Sequence, residues 1–309
     1  MILPQTIIKE LWSYPIKSCG GILHDSVRTS EMGLGDDRAF AVVGKDHCLE
    51  NEVLTQRHNP ELARVALRAI NDHYVVSALG SEIAFDPQAE PIGKTEPVAL
   101  FAKAGEAVEM SEELSELFSE VVKRDVRLMK IVRPRIVKPA THSIAEGANN
   151  RMGFADGYPL QITSLASLAA VNGWLEEMDK DHVEMRRFRP SIVIDGLYDE
   201  DGREEAFGED KLRVIKLGNV GAEVVRAVAR CAMIVVNPDT GKFDEAGKQV
   251  SKILMKHRRG KDPFSEKDGK FFGQYAIHKY TSQTIRVGDA ITTYRSADAP
   301  NFEATAKVD

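Results

Sequence analysis

Short apolar or alternating runs, separated by turn-forming residues, dominate the hydrophobic pattern of this chain. Each run is rich in β-branched or aromatic residues and is bounded by Gly, Asn, Asp or Pro. This pattern is typical of β-strands, because such side chains fill a pleated sheet and the bounding residues favour turns. Examples lie at residues 6–12, 38–43, 64–67, 74–76, 191–194 and 284–287. The chain is therefore predicted to be rich in β-structure.

Three segments instead repeat apolar residues every three or four positions, which predicts helices. The first begins near Ser111, a residue type that caps helices, and the second follows Thr163 or Ser164. The third is short and ends in cations that include Arg258 and Arg259, which suit the helix dipole. The apolar positions are Leu114, Leu117, Phe118, Val121 and Val122 in the first helix, Leu165, Leu168, Leu175 and Met178 in the second, and Val250, Ile253 and Leu254 in the third.

Prolines near the middle of the chain mark a candidate domain boundary. Pro134 and Pro139 are flanked by basic residues and fit poorly inside a helix or a central strand. We therefore predict a crossing segment at about 124–150, between a domain at 1–123 and a second at 124–309. The expected fold class is mostly β, of the α+β type, with two β-rich domains and a few helices.

Hydrophobic residues make up 43% of the 309 residues and charged residues 28%, with a net charge of −6. This composition favours a packed core over disorder, and the acidic balance argues against a nucleic-acid-binding protein. No apolar run is long enough to span a bilayer, and the N-terminus lacks a signal-peptide pattern. We expect a soluble cytoplasmic protein that binds neither membranes nor nucleic acid.

Cys231 is the candidate centre of any chemistry. The other cysteines, Cys19 and Cys48, are far away in sequence, so neither a disulfide framework nor a cysteine-rich zinc site is indicated. Cys231 opens an apolar run at 231–236 and is predicted to lie where a loop enters a strand. Arg226 and Arg230 precede it, and nearby cations stabilise a thiolate. The alternative, a small buried hydrophobic residue, stays open at this point.

Several short segments combine cations with turn-forming residues and could bind an anion. Arg189 precedes Pro190 at a strand entrance, so an extended backbone is expected there. Lys17 and Ser18 lie in a glycine-containing loop after the first strand. Alternatives are a solvated basic rim for the arginines at 186–189, and a plain hairpin with a surface ion pair at 33–38. The sequence contains no HExxH, GxSxG, GxGxxG or P-loop pattern.

Seven segments, taken in order, resemble one protein family. They are YPIKSCGG, GLGDDRAF, LTQRHNPEL, RFRPSIVIDG, ARCAMIVVNPDTG, FFGQYAIHKY and TIRVGD. This series is similar to that of MOSC proteins with an N-terminal β-barrel region, and especially to the mitochondrial amidoxime-reducing component and its bacterial relatives. The resemblance runs from about Leu11 to Tyr294. It implies two β-barrel-like domains and a molybdenum–pterin cofactor.

In this family the cysteine of the "RC" motif, here Cys231, binds the metal. The resemblance implies that it is both the catalytic residue and the metal ligand. A pterin phosphate needs lysine and arginine partners, and a thiolate is the soft ligand that such a metal takes. The cofactor-binding residues implied are Lys17, Ser18, Arg38, Arg57, Gly157, Tyr158, Arg189, Ser191, Arg230 and Cys231.

This chain departs from the family pattern at three places. Ser191 stands where the family usually has Asn, and Val228 where a second cysteine often lies. Ile234 and Val235 replace two threonines, which leaves substrate choice or polar contacts to the cofactor in doubt.

The resemblance implies a molybdenum-dependent oxidoreductase that reduces N-hydroxylated or related N-oxygenated small molecules. One alternative is a sulfur-carrier or cofactor-handling protein that holds a persulfide on Cys231. Another is a binding module without catalytic activity. A reductase would need electrons from a separate ferredoxin, flavin or haem protein with its own reductase. Three distant cysteines cannot hold an iron–sulfur cluster, and the chain ends too soon after 284–289 for the ferredoxin-like domain of some bacterial relatives.

Overall fold

A computed structural model of the chain describes residues 5–45, 51–100, 103–137, 151–261, 268–279 and 282–295. Cys48 and residues 138–150 of the expected crossing segment lie outside the described residues. Strands up to residue 131 are β1 (Ile7–Ser13), β2 (Ile22–His24), β3 (Ser26–Ser30), β4 (Gly33–Leu34), β5 (Phe40–Gly44), β6 (Ala66–Ile70), β7 (His73–Ala78), β8 (Ser81–Phe85), β9 (Glu96–Leu100), β10 (Lys103–Ser111) and β11 (Val126–Ile131). Later strands are β12 (Arg135–Ile136), β13 (Arg151–Met152), β14 (Leu160–Ser164), β15 (Ile192–Asp195), β16 (Leu212–Leu217), β17 (Val220–Ala229), β18 (Val236–Asn237), β19 (Lys242–Phe243), β20 (Arg259–Lys261), β21 (Asp268–His278), β22 (Thr284–Arg286) and β23 (Ile291–Arg295).

The helices are α1 (Glu112–Val122), α2 (Leu165–Glu176) and α3 (Glu245–His257), with 3-10 helices at Pro60–Arg64, Met185–Phe188, Gly208–Lys211 and Ala232–Val235. The mostly β fold class with a few helices is confirmed. Ser111 and Ser164 cap α1 and α2 through backbone N–H groups at 3.2 and 3.1 Å, as their residue types predict. Met178, predicted to belong to the second helix, lies beyond its end and is 46% exposed.

The largest sheet joins the two ends of the described chain. Its strand order is β2-β1-β15-β14-β21-β17-β16-β23, with β20 paired to β21. The first strand, β1, is antiparallel to β15, with Ile8 opposite Ile194. An N-terminal strand is therefore part of the sheet that the C-terminal half builds.

The N-terminal half also contains a four-stranded sheet, β5-β11-β10-β9, and a three-stranded sheet, β6-β7-β8, while β3 and β4 form a further sheet with β22. Residues 126–131, expected in the crossing segment, form the strand β11 between β5 and β10. The reason is their apolar content, since Val126, Leu128, Met129 and Ile131 are all buried. Residues 60–64 likewise form a 3-10 helix, so the strand predicted at 64–67 begins only at Ala66.

Two of the cores position the site. In the N-terminal half, Leu114 and Phe118 of α1 pack with Phe40 and Leu128. In the C-terminal half, α2 and α3 pack on the large sheet, in a cluster that contains Phe188, Ile234 and Phe272. Each fully buried side chain of this size contributes roughly 1.5–3 kcal/mol. The loops that carry Lys17, Arg189 and Cys231 are thereby held against rigid elements.

Candidate functional site

A cavity of about 630 Å³ lies where loops of the two halves meet. The N-terminal half contributes the loops around residues 17–18, 38 and 57, and the C-terminal half contributes the rest of the wall. The sequence-predicted site residues all line it: Lys17, Ser18, Arg38, Arg57, Gly157, Tyr158, Arg189, Ser191, Arg230 and Cys231. The structure therefore brings together residues that are distant in sequence, while their roles stay a prediction.

Cys231 lies at the start of the 3-10 helix Ala232–Val235 and is partly buried. The strand predicted for residues 231–236 is wrong, because residues 232–235 form a 3-10 helix and only Val236–Asn237 belongs to a strand. The carbonyl groups of Ile234 and Val236 accept hydrogen bonds from Arg187 at 3.2 and 3.1 Å instead of pairing in a long strand. Cys231 thus lies at the start of a tight turn whose carbonyl groups are hydrogen-bonded to Arg187.

Arg57 links the thiol of Cys231 to an acid. Its Nη2 lies 3.5 Å from Sγ of Cys231 and 3.3 Å from Oδ2 of Asp156. Asp156 also pairs with Lys17, whose Nζ donates to the Phe154 carbonyl at 2.8 Å. Burial acts to raise the pKa of Asp156, but Lys17 and Arg57 hold that pKa below its ordinary value. The carboxylate stays ionised and orients both cations.

Arg189 is a partly buried cation with one buried, unmet donor. Its Nη1 donates to the Cys19 carbonyl at 2.7 Å, and its guanidinium lies 4.2 Å from the centre of the Tyr14 ring. Its Nη2 is buried and has no hydrogen-bond partner. Burial, and then the charge of Arg38, lower the pKa of Arg189 to about 10. Such a group favours an anionic partner.

Three residues of the cavity wall have left-handed backbones, with φ of +69° at Ser18, +52° at Arg38 and +51° at Arg189. The extended geometry predicted for Arg189 is therefore wrong. Arg189 is the C-cap of the 3-10 helix Met185–Phe188, and its backbone is left-handed there. The ion pair read as a surface feature near Arg38 is also buried, since Asp37 has no exposed surface and accepts from the Tyr14 N–H at 2.7 Å.

Arg230 is fixed by neutral acceptors. It donates to the carbonyls of Phe272 and Phe188 at 2.6 and 2.8 Å and to Oε1 of Gln161 at 3.2 Å. Burial lowers its pKa to about 10. The hydroxyl of Ser191 accepts from the Gln161 N–H at 3.3 Å, so the same wall holds both predicted residues.

Asp156 and Tyr275 are among the cavity residues that sequence reasoning missed. Tyr275 packs on Tyr158 with ring centres 5.3 Å apart, and burial raises its pKa to about 12. A Cβ at Gly157 would lie 2.8 Å from Cζ of Tyr275, so glycine permits this packing. Asp156 directly precedes Gly157, and Tyr275 lies within FFGQYAIHKY, so position beside a matched motif is the signal that could have found them.

The cavity is strongly cationic although the chain has a net charge of −6. Within the described chain, Arg189 and Arg230 form no ion pair with a carboxylate, and Asp156 is the only acid in the wall. The cations in the wall are Lys17, Arg38, Arg57, Arg187, Arg189, Arg226 and Arg230. Such a lining suits an anionic ligand.

Comparison with known families agrees with the motifs. Residues 5–125 match the MOSC N-terminal beta barrel domain, and residues 149–292 match the MOSC domain. This chain is a MOSC domain protein. The family resemblance drawn from the seven motifs is thereby confirmed.

Curated relatives of this MOSC protein share a name. Mitochondrial amidoxime reducing component 2 of Bos taurus is 28% identical over 92% of this chain and 82% of its own length. The protein of the same name from Rattus norvegicus is 29% identical over 94% and 83%. Mitochondrial amidoxime-reducing component 1 of Homo sapiens is 27% identical over 92% and 82%.

Two further observations concern the described residues of the MOSC protein. Among them, no helix is both long and apolar enough to cross a membrane. Within those same ranges, no group of three or more His, Cys, Asp and Glu side chains could hold a metal ion. The cytoplasmic location expected from the sequence remains a prediction, because the relatives are named as mitochondrial.

Proposed function

We propose that this MOSC protein is a molybdenum-cofactor-dependent oxidoreductase that removes oxygen from N-hydroxylated or related N-oxygenated small molecules. Its similarity to proteins named amidoxime-reducing components supports the reaction class. The observation that carries the proposal is the thiol of Cys231 in the wall of a cavity that also holds the buried Nη2 of Arg189, a donor with no hydrogen-bond partner.

The residues of the cavity fit a molybdenum–pterin cofactor. The unmet Nη2 of Arg189 would donate to the pterin phosphate, with Arg38, Lys17 and Ser18 from the facing loops. The thiolate of Cys231 would be the protein's ligand to the metal, since soft metals prefer thiolates.

When bound, the molybdenum would supply the two-electron redox change. The balanced reaction is R–NH–OH + 2 H⁺ + 2 e⁻ → R–NH₂ + H₂O. Arg57 lies beside Sγ of Cys231 and holds in place the side chain that would bind the metal. Asp156 accepts from Arg57 and thereby keeps the guanidinium in that position.

Metal analysis tests the proposal. Protein made in a host that synthesises the cofactor is expected to contain stoichiometric molybdenum and pterin, measured by mass spectrometry of the metal and fluorescence of the released pterin. Cys231→Ala should abolish both molybdenum binding and activity with little change in melting temperature, because this side chain is only partly buried. Cys19→Ala is the control. Because Cys19 is fully buried, this variant should lose roughly 1 kcal/mol of stability but keep the metal.

Two results would contradict this function. Folded protein that contains no molybdenum and takes up none when the cofactor is added would reject it. A mass increase of about 32 Da on Cys231, the mass of one sulfur atom in a persulfide, would favour a sulfur carrier instead.

A further inference from the structure

The outward face of α3 carries a row of lysines. Lys248, Lys252 and Lys256 recur at helical spacing and are exposed, and Met255 lies between them with 39% of its surface exposed. Phe243, just before the helix, is 48% exposed. This face therefore combines positive charge with exposed apolar side chains in a chain that is acidic overall.

The opposite face of α3 packs against the turn that begins at Cys231. A Cβ at Gly247 would lie 2.6 Å from Cα of Val235, so the helix touches the turn closely. Arg187 ties the two together, because it donates to Asp244 at 2.8 Å as well as to the Ile234 carbonyl. The lysine row is separated from the turn by one helix diameter, about 10 Å.

We propose that the face formed by Phe243, Lys248, Lys252, Met255 and Lys256 is the docking surface for an acidic electron-transfer protein that carries a haem, flavin or iron–sulfur group. The inference rests on the proposed function, because each turnover consumes two electrons and two protons. A one-electron donor would be oxidised twice per substrate molecule reduced.

Charge complementarity identifies the partner as acidic. Glu245, the acidic residue within α3, forms an ion pair with Lys248 at 3.5 Å, and among the described residues Lys252 and Lys256 form none. Lysine rows of this kind raise the rate of encounter with an acidic protein. Phe243 and Met255, near the two ends of the lysine row, add exposed apolar side chains of the kind that transient interfaces use.

Charge reversal on the helix tests the proposal. The variant Lys248→Glu, Lys252→Glu, Lys256→Glu is compared with Lys9→Glu, Lys94→Glu, Lys216→Glu, which changes the same net charge at exposed lysines elsewhere. Molybdenum-loaded protein is driven by an acidic [2Fe–2S] ferredoxin with its reductase, or by reduced methyl viologen. Ferredoxin-driven turnover should fall about ten-fold in the α3 variant only, and methyl viologen should drive all three proteins equally.

A binding measurement separates this inference from the proposed function. The affinity of the ferredoxin for the wild-type chain, measured by calorimetry, should weaken with ionic strength and about ten-fold on α3 reversal. If methyl viologen fails to drive turnover, the proposed reductase activity is rejected. The calorimetric measurement of ferredoxin binding still tests the docking surface in that case. Equal ferredoxin binding by both variants, or no binding by the wild type, would overturn the docking surface. Loss of binding to phosphatidylserine vesicles in the α3 variant, with ferredoxin binding unchanged, would also overturn it.

Discussion

At the scale of single residues, the cavity wall holds unusual backbone conformations. Left-handed geometry at a residue with a side chain costs roughly 1–2 kcal/mol, and Ser18, Arg38 and Arg189 all adopt it. Such conformations persist only where surrounding contacts enforce them, and they concentrate at functional sites. At Arg189, the bond to the Cys19 carbonyl and the contact with the Tyr14 ring supply that enforcement.

Two single substitutions, by glycine and by alanine, separate the effect of the backbone conformation of Arg189 from the effect of its charge. Arg189→Gly and Arg189→Ala should both lose molybdenum, because each removes a charge-assisted hydrogen bond worth about 1.5–3 kcal/mol. In the cofactor-free state, however, the glycine variant should be about 1 kcal/mol more stable than the alanine variant, since glycine tolerates a positive φ. Urea unfolding measures the difference. Equal stabilities would show that the backbone is not strained there, and retained molybdenum would move the anion site away from Arg189.

The sequence motifs identified which residues line the cavity, but not how they interact. Lys17, Arg38 and Cys231 could be assigned because family motifs contain them. The pairing of Asp156 with Lys17 and Arg57 could not be foreseen, because it joins residues 139 and 99 positions apart in the chain. The conformation of Arg189 was predicted wrongly because tertiary contacts override the local preference that Pro190 imposes.

At the scale of elements, the helices show how propensity yields to packing. Gly173 in α2 has open space where a Cβ would point, whereas a Cβ at Gly247 in α3 would meet Val235 and Ile234. Capping residues made the starts of α1 and α2 predictable. The run at 231–236 was not predictable, because an apolar segment of this length fits a strand or a turn equally well until its neighbours are known.

The two glycines should respond in opposite directions to alanine. Gly173→Ala should stabilise the protein by roughly 0.5–1 kcal/mol, because alanine is the better helix former and nothing obstructs its methyl group. Gly247→Ala should destabilise it by about 1–3 kcal/mol, because the methyl group would push α3 off the Cys231 turn. Chemical denaturation of both variants checks the signs. Stabilisation by both would mean that α3 does not pack tightly on that turn.

At the scale of the whole molecule, the two halves share a sheet. The mostly β fold predicted from the sequence is confirmed, and the two domains at 1–123 and 124–309 stay a prediction. Across that boundary, β1 pairs with β15 and β22 pairs with β3. Long-range pairing of this kind leaves no local signature in the hydrophobic pattern. We propose that the two parts fold as one cooperative unit.

Expressing the two predicted domains as separate fragments tests whether they fold as one cooperative unit. A fragment of residues 124–309 would lack β1, so the edge of β15, with Ile192 and Ile194, would lose its partner. Exposed apolar strand edges favour aggregation, so this fragment should be unfolded or aggregated in circular dichroism and size-exclusion chromatography. Co-expression with residues 1–123 should restore folded protein. A fragment that unfolds cooperatively by itself would show two independent domains.

The pairing of β1 with β15 also sets an order of events during synthesis. Ile7 leaves the ribosome about 190 residues before Asp195, its partner, a delay on the order of ten seconds or more at usual rates of translation. Tyr275, in the wall of the cavity, is made later still. In the nascent chain β1 can pair with β2 early, but its other edge stays unpaired until β15 has been made, so a holding chaperone would aid its folding. The cavity wall is therefore complete only after Tyr275 has been translated, and any cofactor would bind after that point.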